Sequence, residues 1–311
     1  MRRFIIRRLL QSLLLVWAIM SLTFLLVAIA PGGPDAVLAQ NPKLTREQVE
    51  AVREKYGLNK PIYEQYIVWM GRIVTFDFGK SYTDPHSASE LVAARIPPTA
   101  QLGLFSYLIG MLGIPIGIYA ARHRGKLGDN VIRVLTVIGS CMPVWWISLM
   151  VIIILANTVK WFPQGEGLGG IGPWFLHLMI PAALLSTGTL ISFTRFVRSE
   201  TLEVLSQDYV RTANAKGLPA NQVNRWHVFR NSLIPVVTLL GYLLPTLVSG
   251  AIITETIFNW PGMGRLFFQA ATSRDMPVLL CILYISTILT VIGTLLADIG
   301  YGVVDPRVRY D

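Results

Sequence analysis

Six long apolar runs dominate the sequence, at residues 9–30, 99–121, 131–159, 174–193, 232–254 and 278–303. Each is long enough to be a membrane helix, because crossing roughly 30 Å of hydrocarbon takes about 20 residues rising about 1.5 Å each. Strands of a membrane barrel would be about half as long and would alternate apolar with polar residues, which these runs do not. Composition agrees: 53% of the 311 residues are hydrophobic and 14% are charged, whereas a soluble domain carries about 25% charge. The expected fold class is an all-α integral membrane protein with six transmembrane helices.

The first run follows Arg2, Arg3, Arg7 and Arg8 and ends in Ala28-Ile29-Ala30, which resembles a signal-peptide cleavage site. At 22 residues it exceeds an h-region of about 7–15, and Pro31 would follow the cut, so a retained anchor is expected. Six spans put both termini on one side. That side would hold 16 basic residues, Arg2, Arg3, Arg7, Arg8, Arg122, Arg124, Lys126, Arg133, Arg195, Arg198, Arg211, Lys216, Arg225, Arg230, Arg307 and Arg309. Six acidic residues, Asp129, Glu200, Glu203, Asp208, Asp305 and Asp311, share it. The opposite side balances 11 basic against 11 acidic residues, and Asp298 lies in the last run. That face carries +10, the other 0, and Asp298 brings the chain to +9, so the whole positive excess lies on one face, which by the positive-inside rule is the cytoplasmic one. Asp298 lies near the cytoplasmic end of its span, where a structural, interface-facing role is weighed against a place on an ion path.

The expected organisation is a cytoplasmic N-terminus and first span at 1–30, an extracytoplasmic cap segment at 31–98, a five-helix core at 99–304 containing a cytoplasmic loop at 194–230, and a cytoplasmic tail at 305–311. Within the cap, Thr45 is placed to start a short helix through Lys55, which Gly57 ends. Pro143, Pro181, Pro235 and Pro245 are placed to bend spans three to five.

The chain carries no chemistry of its own that the sequence reveals. Gly79-Lys80-Ser81 ends like a phosphate-binding loop, but Val74 stands where the first glycine belongs and the segment is external. Gly165-Glu166-Gly167-Leu168-Gly169-Gly170 joins two spans instead of opening a βαβ unit. His86, His123, His177 and His227 share no metal-ligand spacing, and Cys141 and Cys281 sit inside apolar runs as small hydrophobes. No nucleophile turn, intramembrane acidic pair or basic nucleic-acid footprint occurs. An enzyme, a metal site, a bound cofactor and a nucleic-acid partner are therefore not expected.

The most informative segment is the loop between spans four and five. Asp208 is placed as an N-cap, residues 209–216 as two helical turns, and Gly217-Leu218-Pro219 as a glycine stop followed by a proline. A second short helix over 220–228 completes a helix, turn, helix unit. Its first helix is read as presenting Ala213 and Ala215 beside Tyr209, Arg211 and Lys216, a shape suited to a groove on another protein. A solvated surface helix is the plain alternative.

Residues Arg211-Thr212-Ala213-Asn214-Ala215-Lys216-Gly217 resemble the EAA loop of ABC-importer permeases, with Arg211 and Thr212 in place of its Glu and first Ala. Preceded by Asp208-Tyr209-Val210 and followed by Arg230-Asn231-Ser232-Leu233-Ile234-Pro235, the segment is similar to the peptide-importer branch. So are Tyr56-Gly57-Leu58-Asn59-Lys60-Pro61, Asp77-Phe78-Gly79-Lys80-Ser81, the run from Glu255 through Trp260-Pro261-Gly262-Met263-Gly264, and Asp305-Pro306-Arg307-Val308-Arg309-Tyr310. The resemblance, to permease subunits of the dipeptide, oligopeptide and nickel importer family, covers nearly the whole chain. It implies a multi-pass protein of a prokaryotic inner membrane, surrounded by membrane lipid. It also implies a paralogous permease, two ATPase subunits that bind ATP and Mg, and an extracytoplasmic substrate-binding protein. ATPase coupling would fall to Tyr209, Arg211, Ala213, Ala215, Lys216 and Gly217. Glu255, Trp260, Pro261, Gly262 and Met263 are read as an outer gate. A short peptide is the expected cargo, with nickel, glutathione or another cargo as alternatives, and an ion-coupled secondary transporter as the rival mechanism.

Overall fold

The computed structural model describes residues 2–29, 59–159, 171–223 and 251–304, together with Glu47, Glu50 and Glu54. The expected helix at 45–55 (its three glutamates apart), most of the fifth span, the loop helix beyond residue 223 and the tail at 305–311 lie outside the described residues. So do the side chain of Asp298 and the glycine-rich run at 165–170. The described residues are helical apart from turns and one isolated antiparallel bridge, Lys80 to Ser87. Four helical segments, Ile6–Leu26, Ala88–Arg122, His177–Ser206 and Met276–Leu296, are long and apolar enough to cross a membrane. The bent pair Leu127–Cys141 and Val144–Leu155 makes a fifth if the two halves are counted as one span.

Helix α1 (Arg2–Ile29) runs the length of the first apolar stretch. Helix α2 (Ile62–Val74) follows Pro61, whose fixed φ suits a helix entrance, and carries Glu64 in its first turn and Arg72 in its last, each complementing the helix dipole. It lies on α1, where Phe24 meets the rings of Tyr66 and Trp69, both at 5.4 Å, and Ser21 shares a 2.7 Å hydrogen bond with the Tyr66 hydroxyl. The turn after α2 is fixed by its own polar groups. The His86 N–H donates to Asp84 at 3.0 Å and holds that exposed carboxyl below the usual carboxylate range.

Helix α3 (Ala88–Gly110) begins eleven residues before the expected start of span two. The reason is a capping box: Ser87 accepts from the Glu90 N–H at 3.2 Å, and Glu90 reaches back to the Ser87 N–H. The helix continues through Pro97 and Pro98. After a slight break at Met111 and Leu112 it resumes as α4 (Gly113–Arg122), so that the two form one span.

Span three, expected over residues 131–159 with a bend at Pro143, is broken there sharply. Helices α5 (Leu127–Cys141) and α6 (Val144–Val159) meet at 99°. Pro143 disfavours a helical conformation in the residue before it, and Met142 accordingly turns extended, with φ −96° and ψ 122°.

Helix α7 (Ile171–Ser206) is the spine. It takes Pro181 in stride and extends thirteen residues past the expected end at 193, which carries it without a break almost to residue 208. Glycines set the packing of α3 and α4 on it. A Cβ at Gly113 would stand 2.4 Å from the Leu190 carbonyl, and one at Gly117 2.6 Å from the Thr194 carbonyl. Those backbone atoms cannot retreat, so glycine is the residue that lets α4 and α7 approach this closely.

Helix α8 (Asp208–Ala215) corrects one expectation. Its N-cap is Gln207, with φ −71° and ψ 147°, and Asp208 is the first helical residue, where its charge still faces the helix N-terminus favourably. Helix α9 (Ala220–Val223) follows. Beyond residue 250 come α10 (Ile252–Ile257), α11 (Met263–Thr272) and α12 (Met276–Val304). Buried Asp275 ties the start of α12 to the turn between α2 and α3, accepting from the Ser81 hydroxyl, the Thr83 hydroxyl at 3.0 Å and the Tyr82 N–H at 3.2 Å.

Candidate functional site

Two constellations stand at opposite ends of α7. The first is the hairpin of α10 and α11. Helix α10 ends with Asn259 at φ 52°, in the left-handed region that Asn tolerates. The Asn259 N–H bonds the Thr256 carbonyl at 3.3 Å and the Trp260 N–H bonds the Glu255 carbonyl at 2.8 Å. This is the paired pattern that closes a helix C-terminus and reverses the chain. Gly262, extended, then starts α11.

The Glu255 side chain, with no exposed surface, sits inside this reversal. It accepts the Thr99 hydroxyl at 3.0 Å and the Arg265 N–H at 3.0 Å, and the Gly264 N–H also faces it. The Thr99 oxygen in turn accepts the Met263 N–H at 2.7 Å. The first N–H groups of α11 have no carbonyls of their own helix to bond, so a carboxylate there answers both the open donors and the positive end of the helix dipole. Room for it comes from glycine. A Cβ at Gly262 would stand 2.4 Å from a Glu255 oxygen, and one at Gly264 would stand 2.7 Å from the Ile252 backbone.

Trp260 completes the clasp. Its indole N–H donates to the Pro98 carbonyl at 2.9 Å, and its ring packs among Leu102 of α3 and Leu178 and Ala182 of α7. Met263 enters a separate cluster with Ala88, Val92, Val278 and Cys281. Glu255, Trp260, Pro261, Gly262 and Met263 therefore come together, all but half-buried Pro261 being buried. Thr99 and Pro98 are the partners that sequence reasoning missed. The only signal for them was a hydroxyl after a Pro-Pro step at the edge of an apolar run.

The second constellation is α8 with its stop. Gly217 has φ 76° and open space around its Cα; its N–H bonds Asn214 at 3.0 Å and the Leu218 N–H reaches Ala213 at 3.4 Å. Tyr209, Arg211, Ala215, Lys216 and Gly217 are exposed. Arg211 reaches Asp208 only at 3.9 Å, an arrangement worth little in water. Ala213 does not share their face. With Val210, three residues earlier and so on the same side of the helix, it is buried against Val223 and packs on Val204, Leu205 and Leu218. That inner stripe fastens α8 to the C-terminal end of α7.

Comparison with known proteins places these features in a family. Residues 113–310 match the binding-protein-dependent transport system inner membrane component, and residues 1–103 match the N-terminal membrane component of the same systems. The oligopeptide transport system permease protein AppB of Bacillus subtilis is 40% identical over 318 aligned residues, covering all of both chains. A probable peptide ABC transporter permease protein of Sinorhizobium fredii is 34% identical over 99% of each chain. A putative peptide transport system permease protein of Brucella abortus is 35% identical over all of each chain. The chain belongs to the inner-membrane permease family of binding-protein-dependent ABC transport systems, as a multi-pass transport protein and not an enzyme.

Proposed function

We propose that this chain is one of two permease subunits of an ATP-driven importer of short peptides. Full-length similarity to proteins named as peptide permeases carries the reading of the cargo. The exposed face of α8, fastened to the end of a membrane helix, supports the reading of ATPase coupling. In this reading six spans put both termini in the cytoplasm, as the charge asymmetry requires. The second permease completes the pathway, an extracytoplasmic binding protein delivers the peptide, and two partner ATPases bind ATP and Mg.

The mechanism follows from the two ends of α7. Tyr209, Arg211, Ala215 and Lys216 engage a groove on an ATPase, and closure of the ATPases on ATP displaces α8. Because Val210 and Ala213 grip Val204, Leu205 and Leu218, the displacement passes into α7. That helix of 36 residues, roughly 54 Å long, carries it to the Trp260 contact on the external side. There the hairpin serves as the outer gate, and α3, α4, α7 and the hairpin move as one body. ATP thereby favours the outward-facing arrangement. Uphill transport needs such a bias, since a ligand that binds both states equally shifts neither.

Co-expression of the chain with its partner permease, ATPases and binding protein, followed by reconstitution in vesicles, tests the reading. ATP-dependent accumulation of a labelled short peptide, with ATP hydrolysis stimulated by the loaded binding protein, is expected. Accumulation driven by an ion gradient without the ATPases would overturn it. Orientation is tested separately by labelling cysteines at two exposed positions, with Ser89→Cys reached from outside and Asn214→Cys only from inside. Ser89 is chosen because neighbouring Ser87 caps α3.

A further inference from the structure

Helix α4 is joined to α7 by close approach to its backbone at Gly113 and Gly117, and Gly110 at the end of α3 packs on the Thr189 side chain, but α5 is joined to α7 differently. An open groove of about 1090 Å³ runs between α5 and α7, lined by Thr136, Ser140, Thr187, Ile191 and Ser192 among others. The one glycine of α5 facing α7 in close approach, Gly139, meets only the flexible end of Ile191. At the cytoplasmic end of this groove the separation is bridged by charge. Arg198 of α7 donates through Nε to one oxygen of Asp129 at 2.7 Å and through a terminal nitrogen to the other at 2.9 Å. The Asp129 side chain is 1% exposed, and its second oxygen also accepts the Gly125 N–H at 3.0 Å. Gly125, at φ 77°, makes the turn that leads into α5.

This is an unusual use of a buried carboxylate in a chain so poor in charge. A two-pronged Arg–carboxylate pair fixes direction as well as distance, which a single apolar contact does not. Its position is also specific. Arg198 lies about two helical turns before Leu205, where α8 is fastened, and beside Gly117, whose Cβ would stand 3.1 Å from the Arg198 backbone nitrogen. The same turn of α7 thus meets α4 through backbone, α5 through charge and, two turns on, the cytoplasmic helix.

We propose that Asp129 and Arg198 are a positioning pair that makes α5 follow α7, so that the width of the α5–α7 groove is held while α8 is displaced. The proposal rests on the importer reading for its consequence in transport. With the pair intact, a push on α8 moves both walls together. With the pair broken, α7 still moves and ATP is still hydrolysed, but α5 lags and hydrolysis no longer yields import.

The test uses the assembled complex. Asp129→Asn and Arg198→Lys should raise the ATP hydrolysed per peptide imported by at least about fivefold, the lower end of ordinary coupling energies. The ratio is taken per assembled complex, so a variant that merely assembles in lower yield leaves it unchanged. Exchange of the two residues, Asp129→Arg with Arg198→Asp, should bring the ratio back toward wild type. A second measurement is independent of transport. Spin labels at Val137→Cys and Ser192→Cys, in a Cys141→Ser background, should give a narrow distance distribution in the wild type and a broad one in Asp129→Asn. An unchanged ratio together with an unchanged distribution overturns the pair's role. If the wild-type complex imports no peptide, the importer reading falls, and the distance distributions still decide whether the pair holds α5 to α7.

Discussion

The hairpin of α10 and α11 and the helix α8 both depend on glycine, for opposite reasons. Gly262 and Gly264 have no room for a side chain: their would-be Cβ atoms collide with the Glu255 carboxylate and the Ile252 backbone. Gly217 has nothing within 4 Å of a would-be Cβ and is needed for its φ of 76°. The first region is closed on its own chain, with polar groups turned inward onto Thr99 and Pro98. The second turns a narrow apolar stripe inward and leaves its polar face for something else to bind. A region built to hold its shape fails when a group is added. If the exposed face of α8 is read by an ATPase, as proposed, that region fails when its direction or charge is changed.

The sharpest way to break this contrast is Gly264→Val. The colliding atoms belong to the Ile252 backbone, at 2.7 Å, and cannot rotate away as a side chain would. The hairpin must open, and a loss of about 3 kcal/mol, at the upper end for overpacked sites, is expected. Reduced yield of assembled complex and a lowered unfolding temperature would show it. Normal yield and unfolding temperature would mean the hairpin tolerates expansion.

Gly217→Val should act next most strongly, and in another way. Left-handed backbone costs a residue with a side chain roughly 1–2 kcal/mol, and more for a β-branched one. The cost is local, so the complex should assemble, but the re-aimed turn shifts Leu218 off the α8 stripe. Peptide uptake and binding-protein-stimulated hydrolysis should fall together. Gly217→Asn should keep most of both, because Asn tolerates this conformation. If valine and asparagine behave alike, conformation is not what the position supplies.

These two regions also show what the sequence made legible. The helix stop at 215–219 is local chemistry, and Gly217, Leu218 and Pro219 announce it within one turn. The Glu255 to Gly264 run was identified as a unit for the same reason. Its partner Thr99 lies 156 residues away from Glu255, and nothing in periodicity or capping relates the two. Asp129 and Arg198, 69 residues apart, were counted only as cytoplasmic charges. Their pairing depends on α7 continuing to Ser206, and hydropathy ended that helix at 193 because charged residues begin there. Likewise Pro143 announces a bend, but its size, 99°, is supplied by no local rule. Ala213 was assigned to the wrong face because a helix of two turns has too few residues for its apolar side to be read.

Arg211→Glu sharpens the comparison at the cytoplasmic end. The Arg211 side chain is 74% exposed and its pairing with Asp208 is long, so reversing its charge should leave the chain's stability within about 0.5 kcal/mol. The outward face meets an ATPase in the proposed assembly, so affinity of the permease pair for the ATPases should drop, more at low salt than at high salt. Titration of ATPase subunits onto permease-containing vesicles measures this. Equal affinity across salt concentrations would remove Arg211 from the contact.

Trp260→Phe is a mild change that separates two contributions within the clasp. Phenylalanine keeps an aromatic ring among Leu102, Leu178 and Ala182 but lacks the N–H that reaches the Pro98 carbonyl at 2.9 Å. The Pro98 carbonyl is not thereby orphaned, since a carbonyl oxygen can also accept from its own helix one turn on. The loss should therefore be near the net worth of one hydrogen bond, about 1 kcal/mol, plus a little for the smaller ring. Trp260→Ala removes the ring as well and should cost about 3–5 kcal/mol, because the cavity opens between α3 and α7 where neither helix can collapse onto the other. A graded series, with unfolding temperature falling slightly for phenylalanine and steeply for alanine, assigns the clasp mainly to packing. Equal losses for both variants would instead assign it to the single bond from Trp260 to Pro98, and would make the hairpin a hinged flap and not part of the α3–α7 body.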